Sequence, residues 1–188
     1  MPSTEPRIAP ATPPYPPDVD EALRAMMPRS GDIEPLRLFR TLVRNLPLAT
    51  GMRALGSHLL GHGRALDTRD REIVIARTCA RCDCEYEWGV HVVAFGARAG
   101  LTVAEIDATA TGAAVWTPRD GLLVRLVDEL HDTGAVSDDL WAGLAAQWSD
   151  AQLVELLLLV GWYHAISYVA NGARVEAEPW AARFPAAP

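Results

Sequence analysis

The chain has 188 residues, of which 49% are hydrophobic and 22% charged, so it is long enough for one domain with a core of its own. Its formal net charge is −7, and every basic residue is an arginine with no basic cluster, which argues against a nucleic-acid groove or a patch for anionic membranes. The lack of lysine excludes Schiff-base chemistry and a P-loop.

The amino-terminal residues 1–17 are rich in proline, which predicts an extended arm rather than a helix. The arm is expected either to be disordered or to wrap a neighbouring subunit, because Ile8 and Tyr15 give it apolar side chains to bury. It has no apolar central run of the kind found in signal peptides. The 3 cysteines are an odd number and lie close together, unlike a secreted disulfide framework, so we expect a cytoplasmic protein.

From residue 18 onward, apolar periodicity and helix caps predict helices only. The predicted segments are 18–27, 34–46, 47–63, 67–83, 85–100, 102–112, 117–134, 137–148 and 149–172. No stretch shows sustained strand alternation, and no Asn-Gly or Asp-Gly pair joins two such stretches. We therefore expect an all-α fold, with one helical domain over residues 18–175 and an irregular tail over 176–188.

The last predicted helix contains the longest apolar run of the chain, Leu153 to Tyr163. This run is too short to span a bilayer and contains Glu155, so it is predicted to be a buried core helix and no membrane partner is expected.

Reactive side chains are concentrated in the stretch "CARCDCEYEWGVH", Cys79 to His91. Metal binding is one interpretation, because Cys79-x-x-Cys82 is half of a zinc site and Glu87 and His91 share a helical face. The second pair of ligands is missing from this stretch. The sequence therefore predicts neither a metal nor another cofactor.

Thiol redox chemistry is a second interpretation of the same stretch. Cys79 and Cys82 have the C-x-x-C spacing but lie near the end of a predicted helix, where they are read as small buried residues. Cys84 lies where the next helix should begin. A helix start favours the thiolate, so Cys84 is predicted to have the lowest pKa of the three thiols.

Acid–base chemistry is the third interpretation. Glu87 and His91 lie four residues apart on one helical face, and a carboxylate beside an imidazole can move protons near neutral pH. A short turn near Asp83 between two antiparallel helices would bring Glu72 across to His91. The competing interpretation is a core histidine with two solvated acids. Three arginines lie on the helix of Glu72, and spacing does not choose which of them pairs with it: Arg69, Arg71 and Arg77.

Two further histidines end or interrupt apolar helices. His131 is predicted to cap a helix carboxyl end, where a positive charge is favourable. His164 lies beside Tyr163 in the last helix, either as a buried hydrogen-bonded residue or as part of a pocket wall.

The stretch "DREIVIARTCARCDCEYEWGVHVVAFGARAGLTVAEI", residues 70–106, resembles the signature of the carboxymuconolactone decarboxylase and alkylhydroperoxidase-D-like (AhpD-like) superfamily. Aligned on His91, Glu72 matches the family glutamate and Cys84 matches the first cysteine of the redox branch. Glu87 stands where that branch has its second, peroxide-reactive cysteine. The similarity covers about residues 30–175. It implies an AhpD-like helical bundle that assembles into homo-oligomers, with the site near a subunit interface.

The resemblance and the residues together predict a cofactor-free enzyme that acts by acid–base chemistry on a small oxygenated acid, lactone or carbonyl compound. His91 would be the general acid and base, Glu87 and Glu72 would orient it or share its proton, and Cys84 would line the pocket. Two alternatives stay open. One is a thiol-dependent peroxidase or disulfide reductase that uses Cys84 with Cys82 or Cys79, and the other is a non-catalytic oligomeric binder of small molecules.

Overall fold

The computed structural model describes residues 5–27, 34–61 and 63–186, and within these ranges it contains helices and no strand. In chain order the α-helices are α1 (Pro17–Met26), α2 (Arg37–Leu42), α3 (Leu46–Leu60), α4 (Thr68–Arg81), α5 (Glu85–Phe95), α6 (Val103–Thr111), α7 (Pro118–Thr133), α8 (Asp138–Ala145) and α9 (Asp150–Ala173). The predicted all-α fold class is confirmed.

Several helix ends differ from the prediction by a few residues, and two of the predicted helices differ more. The single helix expected over 34–46 is α2 followed by a 3₁₀ turn, Val43–Asn45, after which Asn45 caps α3 by accepting a hydrogen bond from the backbone N–H of Leu48. The helix expected to run to Gly100 ends at Phe95. Residues 96–100 instead form turns that close at Gly100, whose φ of 66° lies in the left-handed region that favours glycine.

Helix α4 forms the centre of the bundle and packs against α5, α6, α7 and α9. All its residues from Asp70 to Cys79 are buried, although several carry charge. Each buried charge therefore needs a partner. Asp70 accepts two hydrogen bonds from Arg119 and one from the indole of Trp148, and Arg77 binds Asp128. The pairing explains how so polar a segment lies in the core.

A short turn reverses the chain between α4 and α5. The backbone N–H of Cys84 donates to the carbonyl of Cys79 at 2.8 Å, and Asp83 takes a left-handed conformation with φ of 49°. Asp tolerates this conformation better than most residues. The two helices then run antiparallel, which is the arrangement that the sequence predicted for bringing Glu72 to His91.

The described part of the arm, residues 5–16, lies against its own subunit. Arg7 donates its backbone N–H to Ala173 at 2.8 Å, and Ala11 donates to Arg40 at 2.9 Å. Tyr15 packs on a small second core around Leu23. Ile8 is 48% exposed in this subunit. The arm is thus anchored within its own chain, while residues 1–4 lie outside the described residues.

The tail after α9 has no helix among residues 174–186 and covers α5. The backbone N–H of Ala182 donates to Gly89 in the middle of α5 at 3.3 Å, and the ring of Phe184 lies 5.1 Å from that of Trp88. A side chain at Gly89 would block this contact, because its Cβ would lie 2.1 Å from the Ala182 carbonyl oxygen.

We therefore expect Gly89→Ala to lower the free energy of unfolding by about 1–3 kcal/mol, since the tail must move to make room. The same change inside an unobstructed helix raises stability by up to about 1 kcal/mol. Gly161→Ala in α9 is the control, because its Cβ would meet nothing within 4 Å. Urea denaturation of both variants gives the comparison. A Gly89→Ala variant as stable as Gly161→Ala would contradict the close packing of the tail.

Helix α9 is long and apolar enough to cross a membrane by length and composition alone. However, 50% of its most apolar stretch is buried inside the fold, and a core helix of a soluble protein can be equally long and apolar.

Candidate active site

The imidazole of His91 lies between a carboxylate and a phenol in the core. Its Nδ1 is 2.8 Å from Oε2 of Glu72, and its Nε2 is 2.9 Å from the hydroxyl oxygen of Tyr163. Glu72, His91 and Tyr163 are all buried. An ionised carboxylate only accepts hydrogen bonds, so Nδ1 carries a proton and Nε2 is the nitrogen available for proton exchange.

Glu72 is held in place by the neighbouring arginine, Arg71. The Nε of Arg71 donates to Oε1 of Glu72 at 2.6 Å, and its Nη1 donates to the carbonyl of Leu60 at 3.0 Å. Its guanidinium group also lies over the ring of Phe95, 5.2 Å from the ring centre. Of the three arginines that spacing left open, Arg71 is the partner of Glu72. The other two bind different acids: Arg69 binds Glu105 and Asp120, and Arg77 binds Asp128.

Glu87 approaches the other side of the imidazole. Its Oε2 lies 3.7 Å from Nε2 of His91, one helical turn along α5. Burial raises the pKa of Glu87, and the nearby His91 only partly opposes this. Glu72 is paired with Arg71, whereas burial favours the neutral form of Glu87, so the two carboxyls meet the same imidazole in different surroundings.

The protonation of His91 is set by opposing effects. Burial disfavours the imidazolium ion, but Glu72, by charge and hydrogen bond, and Glu87, by charge, outweigh it, so the pKa of His91 is raised. Burial, together with the charges of Glu87 and Glu72, raises the pKa of Tyr163 well above its usual value. Tyr163 therefore stays a neutral phenol that can donate to or accept from Nε2 of His91.

The pKa of the Cys84 thiol differs from the prediction. Cys84 is fully buried just before α5, and burial raises its pKa to about 11, so the predicted low pKa is wrong. The partial charge at the helix start is too weak to offset the loss of solvation. Burial also raises the pKa of Cys79 and of the half-buried Cys82. All three cysteines are free thiols that surround the hydroxyl of Ser167.

The half-buried ring of Phe95 packs against the imidazole of His91, with ring centres 5.2 Å apart. An open cleft of ≈ 410 Å³ lies elsewhere, along α7, with Arg77, Trp116 and Asp128 in its wall. His91, Glu72, Glu87 and Cys84 do not line it. In the single subunit the group around His91 is thus enclosed, and the ring of Phe95 packs against it.

Sequence reasoning did not identify Tyr163 as a contact of His91. The two residues lie 72 positions apart, on helices whose packing no local spacing reveals. The available signal was weak: Tyr163 is a polar-tipped residue in an otherwise apolar helix, and a buried tyrosine hydroxyl needs a partner.

Comparisons with known proteins agree with the resemblance seen in the sequence. Residues 47–119, which contain Glu72, Cys84, Glu87 and His91, match the model of the carboxymuconolactone decarboxylase family. A crystal structure of an uncharacterised peroxidase-related protein from Silicibacter sp. TM1040 is similar over 95% of this chain and 96% of its own, with a TM-score of 0.78 and 12% identity. A protein of unknown function from Agrobacterium tumefaciens, named as a candidate AhpD antioxidant defence protein, is similar over 73% of this chain and 95% of its own, with a TM-score of 0.63 and 23% identity. No curated protein sequence gives a significant match.

Proposed function

We propose that this chain is a member of the carboxymuconolactone decarboxylase and AhpD-like superfamily, whose family model matches residues 47–119, and that it is a cofactor-free enzyme that acts by acid–base chemistry at His91. The observation that carries the proposal is the buried hydrogen bond of 2.8 Å from His91 Nδ1 to Glu72. It orients the ring and stabilises the imidazolium ion, which leaves Nε2 to deliver or accept a proton. The substrate would be a small oxygenated acid, a lactone or a carbonyl compound.

A decarboxylation illustrates what the residues would do. The bond between the carboxylate carbon and the rest of the substrate breaks, carbon dioxide leaves, and the electron pair moves into an enolate conjugated with the substrate carbonyl. His91 gives the proton on Nε2 to the enolate carbon and is then reprotonated from water, directly or through Glu87. The hydroxyl of Tyr163 can donate to the enolate oxygen while charge develops there.

Substrate access would involve Phe95 and a second subunit. Phe95 is the half-buried ring on His91, so its movement would open a route to the imidazole. Helix α9 also has exposed apolar residues that would suit a homo-oligomer contact: Val154, Leu158 and Tyr168. We propose an oligomer that completes the pocket, in a reducing compartment that keeps the three thiols free.

A thiol peroxidase is the second candidate, because three free thiols lie around Ser167 close to Glu87. In that reaction a thiolate would attack the peroxide O–O bond, release an alcohol and become a sulfenic acid, and a second thiol would then displace water from it to form a disulfide. The raised pKa of Cys84 leaves little thiolate at neutral pH, and Glu87 stands where the redox branch has its reactive cysteine. These two features favour acid–base chemistry.

The two candidates can be separated in one experiment. Carboxymuconolactone, related lactone acids and 3-oxo acids are assayed for carbon dioxide release, and an alkyl hydroperoxide is assayed for consumption with thiol titration. We expect carbon dioxide release that Cys84→Ser lowers by less than tenfold, with no disulfide formed. Stoichiometric peroxide consumption that Cys84→Ser abolishes would establish the peroxidase instead. Ligand binding without either reaction would indicate a binder.

A further inference from the structure

A second cluster of reactive side chains lies away from His91, where the ends of α4 and α7 meet the middle of α9. Cys82 follows the last residue of α4, His131 lies in the last turn of α7, and His164 lies in α9. One ligand atom from each, a sulfur and two ring nitrogens, lies within 4.8 Å of the other two. All three residues are half-buried. We propose that Cys82, His131 and His164 bind a divalent transition metal ion of the Zn²⁺ type.

The geometry is close to that of a zinc site before the ion enters. Zinc bonds of about 2.0–2.1 Å to nitrogen and about 2.3 Å to sulfur place tetrahedral ligand atoms roughly 3.3–3.6 Å apart. Nδ1 of His131 and Nε2 of His164 are already 3.0 Å apart. Small side-chain rotations that open this pair and draw the sulfur inward would therefore suffice. A thiolate with two imidazoles is a donor set that Zn²⁺ and similar ions favour.

The surroundings fix the donor atoms. Nδ1 of His164 faces the carbonyl of Val160 at 2.9 Å and can only donate to it, so Nε2 of His164 is left with its lone pair. The side-chain amide of Asn171 donates to the carbonyl of Cys82 at 2.7 Å and ties that residue to α9. His131 then donates from Nδ1 to His164 in the absence of metal. It must move that proton to Nε2 when an ion binds.

Charged side chains of both signs lie near the cluster. Asp128 and Asp132 lie close to His131, and Asp83 lies beside Cys82. Asp128 pairs with Arg77 and Arg81, and Asp132 pairs with Arg81. Binding would release the proton of the Cys82 thiol to solvent.

Within the part of the chain that the structure describes, no fourth side chain joins this group. A water molecule would therefore complete the coordination, so the ion would be exchangeable. The sequence predicted no metal because only Cys82 lies in the dense Cys79–His91 stretch. The two histidines come from distant helices and were interpreted there as a cap and as a buried or pocket residue.

The test uses the untagged full-length chain and Zn²⁺ itself. We expect one Zn²⁺ per chain by calorimetry or chelator competition, and Co²⁺ in its place should show thiolate-to-metal charge-transfer absorption. Cys82→Ser, His131→Gln and His164→Gln should each weaken Zn²⁺ binding at least tenfold. Cys79→Ala and His58→Gln are the matched controls and should bind Zn²⁺ like the parent chain.

A second readout does not depend on the variants folding equally well. Cys82 is the half-buried thiol of the three, so iodoacetamide should alkylate it first in the metal-free parent chain, as mapped by mass spectrometry. Saturating Zn²⁺ should slow alkylation of Cys82 at least tenfold and leave that of Cys79 unchanged. The proposal is overturned if Zn²⁺ does not bind stoichiometrically, if the ligand variants bind it like the controls, or if Cys82 stays equally reactive.

Discussion

His91→Gln is expected to lower turnover by about 10²–10⁴-fold while the helical content stays that of the parent chain. Glutamine can still meet Glu72 and Tyr163 with hydrogen bonds, but it cannot carry a proton to the substrate near neutral pH. The loss should fall on kcat more than on KM, since the proton moves in the transition state. Circular dichroism and size-exclusion chromatography check that the variant is folded. Turnover is measured as carbon dioxide release from the substrate that the assay proposed above identifies.

The pH dependence gives a second view of the same residue. Because the pKa of His91 is raised, mainly by Glu72 against the effect of burial, the imidazolium ion persists above the usual histidine range near 6.5. A general acid works only in its protonated form. Turnover should therefore fall as pH rises through the raised pKa of His91. Removing the negative charge in Glu72→Gln should move this fall to lower pH.

His58→Gln is the control for the His91 variant, because His58 lies half exposed on α3 and is 51% accessible at its side chain. It should keep turnover within about twofold of the parent chain, a much smaller change than the loss of a general acid would cause. If His91→Gln turned over the same substrate at the parent rate, His91 would be a structural residue and the proposed chemistry would be wrong.

The sequence was sufficient to predict the helices and the meeting of Glu72 with His91. Both depend on local signals: caps, apolar periodicity, and a short turn at Asp83 between two helices of similar length. With the turn in place, Glu72 lies two to three helical turns before the reversal and His91 about two turns after it, so the two side chains can meet across the antiparallel pair. The structure shows this contact as a hydrogen bond between residues 19 positions apart.

The features that the sequence did not predict depend on which helix packs beside which. Tyr163 reaches His91, and His164 reaches His131 and Cys82, only because α9 crosses both α4 and the end of α7. The pKa of Cys84 was predicted in the wrong direction for a related reason. Helix position can be read from sequence, but the full burial of the thiol depends on the tertiary structure, and burial has the larger effect.

The same substitution at the two carboxyls beside His91 should have very different effects on stability. Glu72→Gln is expected to lower the free energy of unfolding by about 3–5 kcal/mol, because it leaves Arg71 as a buried charge without its partner. Glu87→Gln should change stability by less than about 1 kcal/mol, within the range of many neutral replacements. Burial already favours the uncharged form of Glu87, and glutamine resembles that form in shape and charge.

The pH dependence of the stability lost in Glu72→Gln identifies which interactions of Glu72 provide it. His91 has a raised pKa in the folded state, so its pairing with Glu72 adds stability that is fully present below the unfolded pKa near 6.5 and is lost as pH rises through the folded value. The stability gap between the parent chain and Glu72→Gln should therefore be larger at pH 6 than at pH 9. Part of the gap must remain at pH 9, because Arg71 stays charged at both values. Urea unfolding at the two pH values measures it, and equal losses for Glu72→Gln and Glu87→Gln would show that the Arg71 pair does not hold the site together.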